Sequence, residues 1–282
     1  MSESIAVLAG RTAAITGAGS GFGAAMGRVF AGAGMSVATL DIDEDAAAGT
    51  AAAITEEFGV STTSQRVDVG DAASVGEAAR HVQRTFGGCD VLCANVGVQQ
   101  FGAIDQLTDE DWRWVLDVNV LGTVNTVRAF LPLLRQRRGW RRIVLTASSS
   151  VLAPAVRLGA YQTTKFAIMG FGETLREELA CEGIGVTIVF PGGMMTRHLE
   201  TSAKARPEHL RETGASADDL DAMLAHRPMG DGDVVIAEHA ARNLLGDLLA
   251  DAPYSITHGS FRPVYEQRRA AMDAAFDRME TS

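Results

Sequence analysis

The sequence predicts an α/β fold in a single domain: a doubly wound parallel sheet of about seven strands, with helices on both faces. Three observations predict it. Short apolar runs alternate with longer amphipathic ones from residue 11 to residue 95, the pattern of βα units joined by right-handed crossovers. The first run opens into a glycine-rich turn, Gly17-Ala18-Gly19-Ser20-Gly21-Phe22-Gly23, and the second closes on a carboxylate, Asp41. No composition shift or Pro/Gly/Ser linker divides the 282 residues. The chain is therefore read as a core over about 8–193, an insertion over about 194–232 and a C-terminal helix over about 262–282.

In order, the chain reads as strand 11–16, the glycine turn, helix 24–33, strand 36–41, helix 44–58, strand 62–67, a helix from 71 to 86, and strand 90–94 running into Asn95-Val96-Gly97. Thr108 followed by Asp109-Glu110-Asp111 starts a helix expected to reach about residue 137: a hydroxyl cap, then three acids at the positive end of the helix dipole. Strand 143–148 ends in Ser148. A helix over 160–181, strand 185–190, a lid-like insertion, helix 234–249, strand 254–257 and helix 263–279 complete the chain. The last helix carries Val264, Met272, Phe276 and Met279 for packing on this subunit or a neighbour.

Composition excludes several functions. With 46% hydrophobic and 21% charged residues the chain suits a globular domain. A formal charge of −10 argues against a nucleic-acid face, which needs a basic surface. The cluster Arg135, Arg137, Arg138, Arg141 and Arg142 reads as a solvated helix end. Residues 1–10 lack the basic and apolar regions of a secretory signal, and no apolar run reaches the ~18–20 residues of a membrane span. Cys89, Cys93 and Cys181, odd in number and sparse, suit reduced thiols in a cytoplasm. Six scattered histidines and no ligand spacing imply no metal.

The strand–turn–helix around Gly17, Gly21 and Gly23 outlines a phosphate cradle of Rossmann type. Its spacing is Gly-x-x-x-Gly-x-Gly, with Phe22 where a Gly-x-Gly-x-x-Gly pattern would end. Asp41, 24 residues beyond Gly17, suits the acid that binds the hydroxyls of an adenosine ribose and repels a 2′-phosphate; with no Arg or Lys between Gly17 and Gly23, NAD is favoured over NADP. Alternatively Asp41 or Asp43 caps the helix at 44. Asp68 either meets the adenine or caps the helix at 71. Tyr161 and Lys165 share one helix face, and an ammonium beside a phenol lowers the phenol's pKa from about 10 toward working pH, as proton transfer to substrate requires. Ser148 is placed to hold the substrate oxygen against it. Ligands of open α/β sheets sit outside the carboxyl ends of strands, so the Gly17 turn, Asp41, Asn95 and Ser148 should converge.

Taken together, Thr16-Gly17-x-x-x-Gly21-x-Gly23, Asp41, Asp68, Asn95-x-Gly97, Asn119, Ser148, Tyr161-x-x-x-Lys165 and Pro191-Gly192 with Thr196 resemble the short-chain dehydrogenase/reductase family, over about residues 8–195. The family's Asn-Asn-Ala-Gly reads Ala94-Asn95-Val96-Gly97 here. The resemblance implies Tyr161 as acid–base, Lys165 as its tuner and ribose holder, Ser148 as substrate orienter and Asn119 as the holder of a relay water. It implies cofactor contacts at Gly17, Ser20, Gly21, Phe22, Gly23, Asp41, Ile42, Asp68, Val69, Asn95, Gly97, Tyr161, Lys165, Pro191, Gly192, Met194 and Thr196.

The substrate pocket is expected from Gln99, Gln100, Phe101, Ser148, Ala153, Ala155, Val156, Leu158, Tyr161, Gly193 and Met194, largely apolar and with no cation. The reading is an NAD-dependent oxidoreductase for an apolar, fairly bulky secondary alcohol or ketone, assembled as a homotetramer or homodimer. The tetramer follows from the family, with the helices starting near 108 and 160 as interfaces. The rival readings are an idle NAD-binding sensor or partner, and an epimerase or dehydratase of the extended branch.

Overall fold

The computed structural model describes residues 8–213, 216–226, 230 and 232–280. Strands β1 (Thr12–Thr16), β2 (Ser36–Asp41), β3 (Thr62–Arg66), β4 (Val91–Ala94), β5 (Arg141–Thr146), β6 (Ile184–Phe190) and β9 (Tyr254–Ile256) form one seven-stranded parallel sheet, ordered β3-β2-β1-β4-β5-β6-β9. The order reverses between β1 and β4, and that switch point opens a crevice at the carboxyl ends of the strands. A small parallel ribbon pairs β7 (Gly193–Met194) with β8 (Val234–Val235).

Helices α1 (Gly21–Gly32) and α2 (Glu44–Phe58) cover one face; α3 (Ala72–Phe86), α5 (Gly122–Gln136) and α6 (Gly159–Leu179) cover the other. The period of two along each strand decides which side chain goes where. Leu92, Leu145 and Ile188 turn toward Phe130, Leu134 and Ile168. Val91, Val144 and Val189 turn toward Met26, Phe30 and Leu244. Phe30 and Phe130 are fully enclosed; truncating either to Ala would cost about 3–5 kcal/mol.

Local chemistry accounts for the element ends. Asp43 caps α2 by accepting from Ala46 N, and Asp71 caps α3 by accepting from Ala73 N. Asp41 and Asp68 are therefore not caps. Gly59 and Gly87 close the two helices in the left-handed region. Thr108 and Asp111 form a reciprocal capping box at α4 (Asp109–Leu116).

The structure corrects several expectations. The helix expected over 108–137 is three pieces, α4, a π turn at Asp117–Leu121 and α5, because one extra residue is accommodated where Asn119 turns inward. The fifth strand lies two residues earlier than expected, leaving Ser148 just past its end. Helix α1 begins at Gly21, not at 24, since the glycine turn runs straight into it. Residues 234–249 are not one helix: Val234 and Val235 extend to pair with Gly193 and Met194, as β-branched residues favour. Short helices α9 (Ala237–Ala241) and α10 (Leu244–Leu249) follow.

The arginine cluster is solvated only in part: Arg135 and Arg138 are exposed, whereas Arg142 is not. Arg142 is buried over Trp140 and donates to Leu248 O. Arg137 donates to Phe86 O, and Arg135 forms a two-pronged pair with Glu182.

Within the expected insertion lie α7 (His198–Ala205) and α8 (Ala217–His226). Residues 214, 215, 227–229 and 231, with Met229 among them, fall outside the described residues, as do 1–7 and 281–282. Helix α11 (Arg262–Glu280) ends the fold with no buried residue among those described.

Candidate active site

The glycine turn is built for a close backbone approach. Gly17 and Gly21 have φ of +68° and +54°, open to glycine without strain. A Cβ on Gly23 would sit 2.0 Å from Gly17 O, so helix and strand meet here only through glycine. Ser20, the N-cap of α1, makes no side-chain capping bond. The first N–H groups of this twelve-residue helix thus face the crevice beside the positive end of the helix dipole. The turn fits the pyrophosphate of a dinucleotide. Thr196 closes over it: its Cγ2 would lie 3.3 Å from a Cβ at Gly21.

At the end of β2, Asp41 Oδ2 accepts from Gly19 N (2.8 Å) and Oδ1 from Asp43 N (3.0 Å). A carboxylate has about four acceptor sites, so it can still take ribose hydroxyls while holding the turn in place. Ile42 beside it is exposed and Val69 is buried against Gly122. Asp68 Oδ1 accepts from Gly70 N. Asn95 serves the scaffold: its Nδ2 donates to Thr16 O (3.1 Å) and its Oδ1 accepts from Thr146 Oγ1 (3.0 Å), joining the ends of β1, β4 and β5. Gly97 leaves room for Lys165, whose Nζ would be 2.9 Å from a Cβ there. Pro191 O accepts from Ser149 N, and Gly192 N donates to Thr257 Oγ1.

Beyond β5, Ser148 Oγ accepts from Ser150 N (3.1 Å), which leaves its own proton available for donation. Tyr161 and Lys165 stand on α6, with Nζ 5.6 Å from the phenol ring centroid. Lys165 Nζ donates to Thr146 O (2.9 Å). Burial lowers its pKa to about 8. Burial raises the Tyr161 phenol above its ordinary value, opposed by hydrogen bonds with Ser148 and Gln99. This differs from the expectation of a lowered phenol: in the protein alone, desolvation outweighs the two hydrogen bonds, from Ser148 and Gln99. Asn119, fully enclosed in the π turn, accepts from Val98 N (2.7 Å) and donates to Val98 O and Thr164 Oγ1. It locks the 97–98 loop to α6.

The pocket differs from expectation. Phe101, Leu158 and Tyr161 cluster with Ala155, Leu220 and Met223, while Val156 is exposed and Ala153 buried. Gly193 and Met194 lie in the β7–β8 ribbon. Gln100 is not a pocket wall: its buried side chain turns to Phe101 O and to Arg206. A cavity of about 220 Å³ is lined by Gln99, Phe101, Trp114, Leu199, Ser202 and Arg206, among others. Arg206 is the cation in that lining and is engaged by Asp111; Ser148 and Tyr161 are not among the lining residues.

Sequence reading missed Arg206, Ser202 and His198. Only the tertiary fold brings 198–206 beside 99–101 and 111. His198, half-buried, has its pKa lowered to about 4 by desolvation and then by Lys165.

Residues 11–207 match the family described as short chain dehydrogenase. The chain belongs to the short-chain dehydrogenase/reductase family. D-β-hydroxybutyrate dehydrogenase of Cupriavidus necator is 30% identical over 203 residues, 72% of this chain and 78% of that one. A family member from Burkholderia phymatum, solved in complex with NAD, superimposes with a TM-score of 0.86 at 29% identity, covering 95% of this chain and 96% of that one. L-sorbose reductase from Gluconobacter frateurii, solved with NADPH and L-sorbose, gives 0.76 at 26% identity, covering 90% and 97%. The protein is thus an oxidoreductase of a family that binds nicotinamide cofactors and small-molecule substrates.

Proposed function

We propose that this short-chain dehydrogenase is NAD-dependent and interconverts an apolar, fairly bulky secondary alcohol and its ketone, with Tyr161 as general acid and base. The observation that carries the reading is the meeting of Ser148, Tyr161 and Lys165 at the end of β5, beside the glycine turn. The nicotinamide, when bound, supplies or accepts the hydride. The protein's residues manage the proton. Ser148, its hydroxyl proton free to donate, orients the substrate oxygen toward the phenol. Lys165, with a pKa of about 8, stays largely cationic near neutral pH and favours the phenolate.

Because burial raises the phenol, alcohol oxidation, which needs the base form, should accelerate as pH rises. Ketone reduction uses the acid form and should hold below neutrality. Asp41 supports NAD through its remaining acceptor sites and its repulsion of a 2′-phosphate. Phe101, Leu158, Leu220 and Met223 around Tyr161 support an apolar substrate body. The Arg206 guanidinium is engaged by Asp111 and Gln100, which favours a neutral substrate over a carboxylate. A cytoplasmic setting, with reduced thiols, and a homotetramer or homodimer complete the proposal; among the described residues no helix is long and apolar enough to cross a membrane.

The test is initial-rate absorbance near about 340 nm, where the reduced cofactor absorbs, with NAD and NADP in parallel against apolar, aromatic, terpenoid, steroid and sugar alcohols. Turnover with NAD on an apolar class is expected. Tyr161→Phe should lose about 10²–10⁴-fold in rate while calorimetry shows NAD still bound. Persistent turnover in that variant would end the acid–base assignment. Silence of the wild type across the panel, with NAD bound, would favour an idle binding protein.

A further inference from the structure

Arg206 is an unusual residue to find inside a pocket wall. It is 6% exposed, and its partner Asp111 is 0% exposed. One Asp111 oxygen completes the capping box of α4, accepting from Thr108 N and Oγ1 (both 2.9 Å). The other receives Arg206 Nη2. Nη1 of the same guanidinium donates to Gln100 Oε1, and the fork lies over the Trp114 ring, 5.0 Å from its centroid. Gln100 passes the constraint on through Nε2 to Phe101 O (2.9 Å). One turn before Arg206, Ser202 accepts from Gln99 N (3.1 Å).

Gln100 and Ser202 lead from this clasp to the segment facing the phenol, while Nε of Arg206 donates to Leu210 O. Gln99 hydrogen-bonds toward Tyr161, and Phe101 packs on it. A buried ion pair is a weak source of stability, since desolvating two charges offsets most of their attraction. What a guanidinium does supply is direction: a rigid fork serving several acceptors at fixed angles. Helix α4 is itself anchored, through its cap at one end and the π turn at the other. The clasp therefore ties the loop 99–101 and the helix α7 to a fixed frame.

We propose that Arg206, paired with Asp111, is a positioning residue for substrate. It holds Gln99 and Phe101 against the catalytic phenol and so sets the substrate-binding geometry without taking part in dinucleotide binding. The inference deepens the proposed function and rests on that reading for its kinetic arm only.

The experiment uses the full chain as wild type, Arg206→Met, Arg206→Lys and Ser202→Ala. Amide hydrogen exchange over 98–101 is followed with and without NADH, and KM and kcat are measured with 1-phenylethanol as probe. Arg206→Met should speed exchange at the Gln99 and Phe101 amides at least tenfold and raise KM at least tenfold, with kcat and the NADH dissociation constant within threefold of wild type. Arg206→Lys should fail to restore KM, because an ammonium lacks the planar fork that reaches both acceptors at these angles. Ser202→Ala, which leaves the ion pair intact, should speed exchange at Gln99 and keeps the proposal testable should Arg206→Met not fold. Unchanged exchange over 98–101 in a folded variant, or a lowered melting temperature with unchanged KM, would overturn it. If wild type does not turn over the probe, the proposed substrate class fails on its own, and the exchange result still decides the clasp.

Discussion

Lys165 shows how much a single residue in this site works against the fold. Its ammonium is enclosed with Thr146 O as hydrogen-bond acceptor, and burial brings its pKa from 10.5 to about 8. For a base whose folded pKa is lowered, the unfolded chain binds more protons between pH 8 and pH 10.5. The penalty is therefore complete below pH 8 and fades as pH rises to 10.5. It amounts to about 3 kcal/mol, against about 1 kcal/mol for the hydrogen bond. Lys165→Met should accordingly raise the melting temperature of the ligand-free protein by several degrees at pH 7 while abolishing turnover. Calorimetric scans should show the gain shrinking toward pH 10. A variant less stable than wild type at pH 7 would refute that balance. With Lys165 in its proposed role, stability and function would be set against one another at this position.

Among the elements, the junction of β2 with the glycine turn does two tasks with one carboxylate. Asp41 was legible as an acid at the end of a strand; that it also accepts from Gly19 N was not, because the turn lies 22 residues away in sequence. Two substitutions separate the tasks. Asp41→Asn keeps an acceptor for Gly19 N and should retain the turn. Asp41→Ala loses it and should weaken binding of either dinucleotide, while the ratio of NADP to NAD use rises because the repulsion is gone. Steady-state rates with both cofactors check this; an unchanged ratio in Asp41→Ala would leave the proposed NAD preference unsupported.

The long helix beginning at residue 109 teaches a related lesson. Its cap and apolar spacing were plain in the sequence, yet the π turn was not. Periodicity reports which side chains are apolar, and Asn119 interrupts it only because Val98 and Thr164, from two other elements, supply its partners. Residues 234–249 do not form one helix for the same reason, since Val234 and Val235 become a strand by pairing with Gly193 and Met194, which sequence spacing does not reveal.

At the scale of the whole molecule, much apolar surface faces solvent at one side of the sheet and along the last helix. Met272, Phe276 and Met279 of α11 are each more than half exposed, as are Ile256 of the edge strand and Leu121 at the end of the π turn. Arg268 ties α11 to the core through Val151 O, Leu152 O and the face of Phe166. A groove of about 540 Å³ runs between α6 and β9, lined by Glu173, Arg176 and Tyr254; none of the proposed proton-transfer residues lines it. Exposed apolar surface of this kind is what the proposed subunit interface would cover. Sedimentation velocity should therefore give a mass of two or four copies of the 29.8 kDa chain. A single-copy species at micromolar concentration would remove the oligomer from the proposal.

The sequence by itself determined the βα alternation, the order of the site's parts along the chain and the family resemblance. Those depend on local chemistry: apolar period, glycine at a turn, a carboxylate or hydroxyl at an element's end. Tertiary structure alone decided the sign of the Tyr161 shift, the commitment of Asn95 to three strand ends, the burial of Arg142 and the Arg206–Asp111 clasp. Each of these depends on what surrounds a polar group once water has been excluded. That environment is assembled from segments 40 to 110 residues apart in sequence, and no local pattern records it.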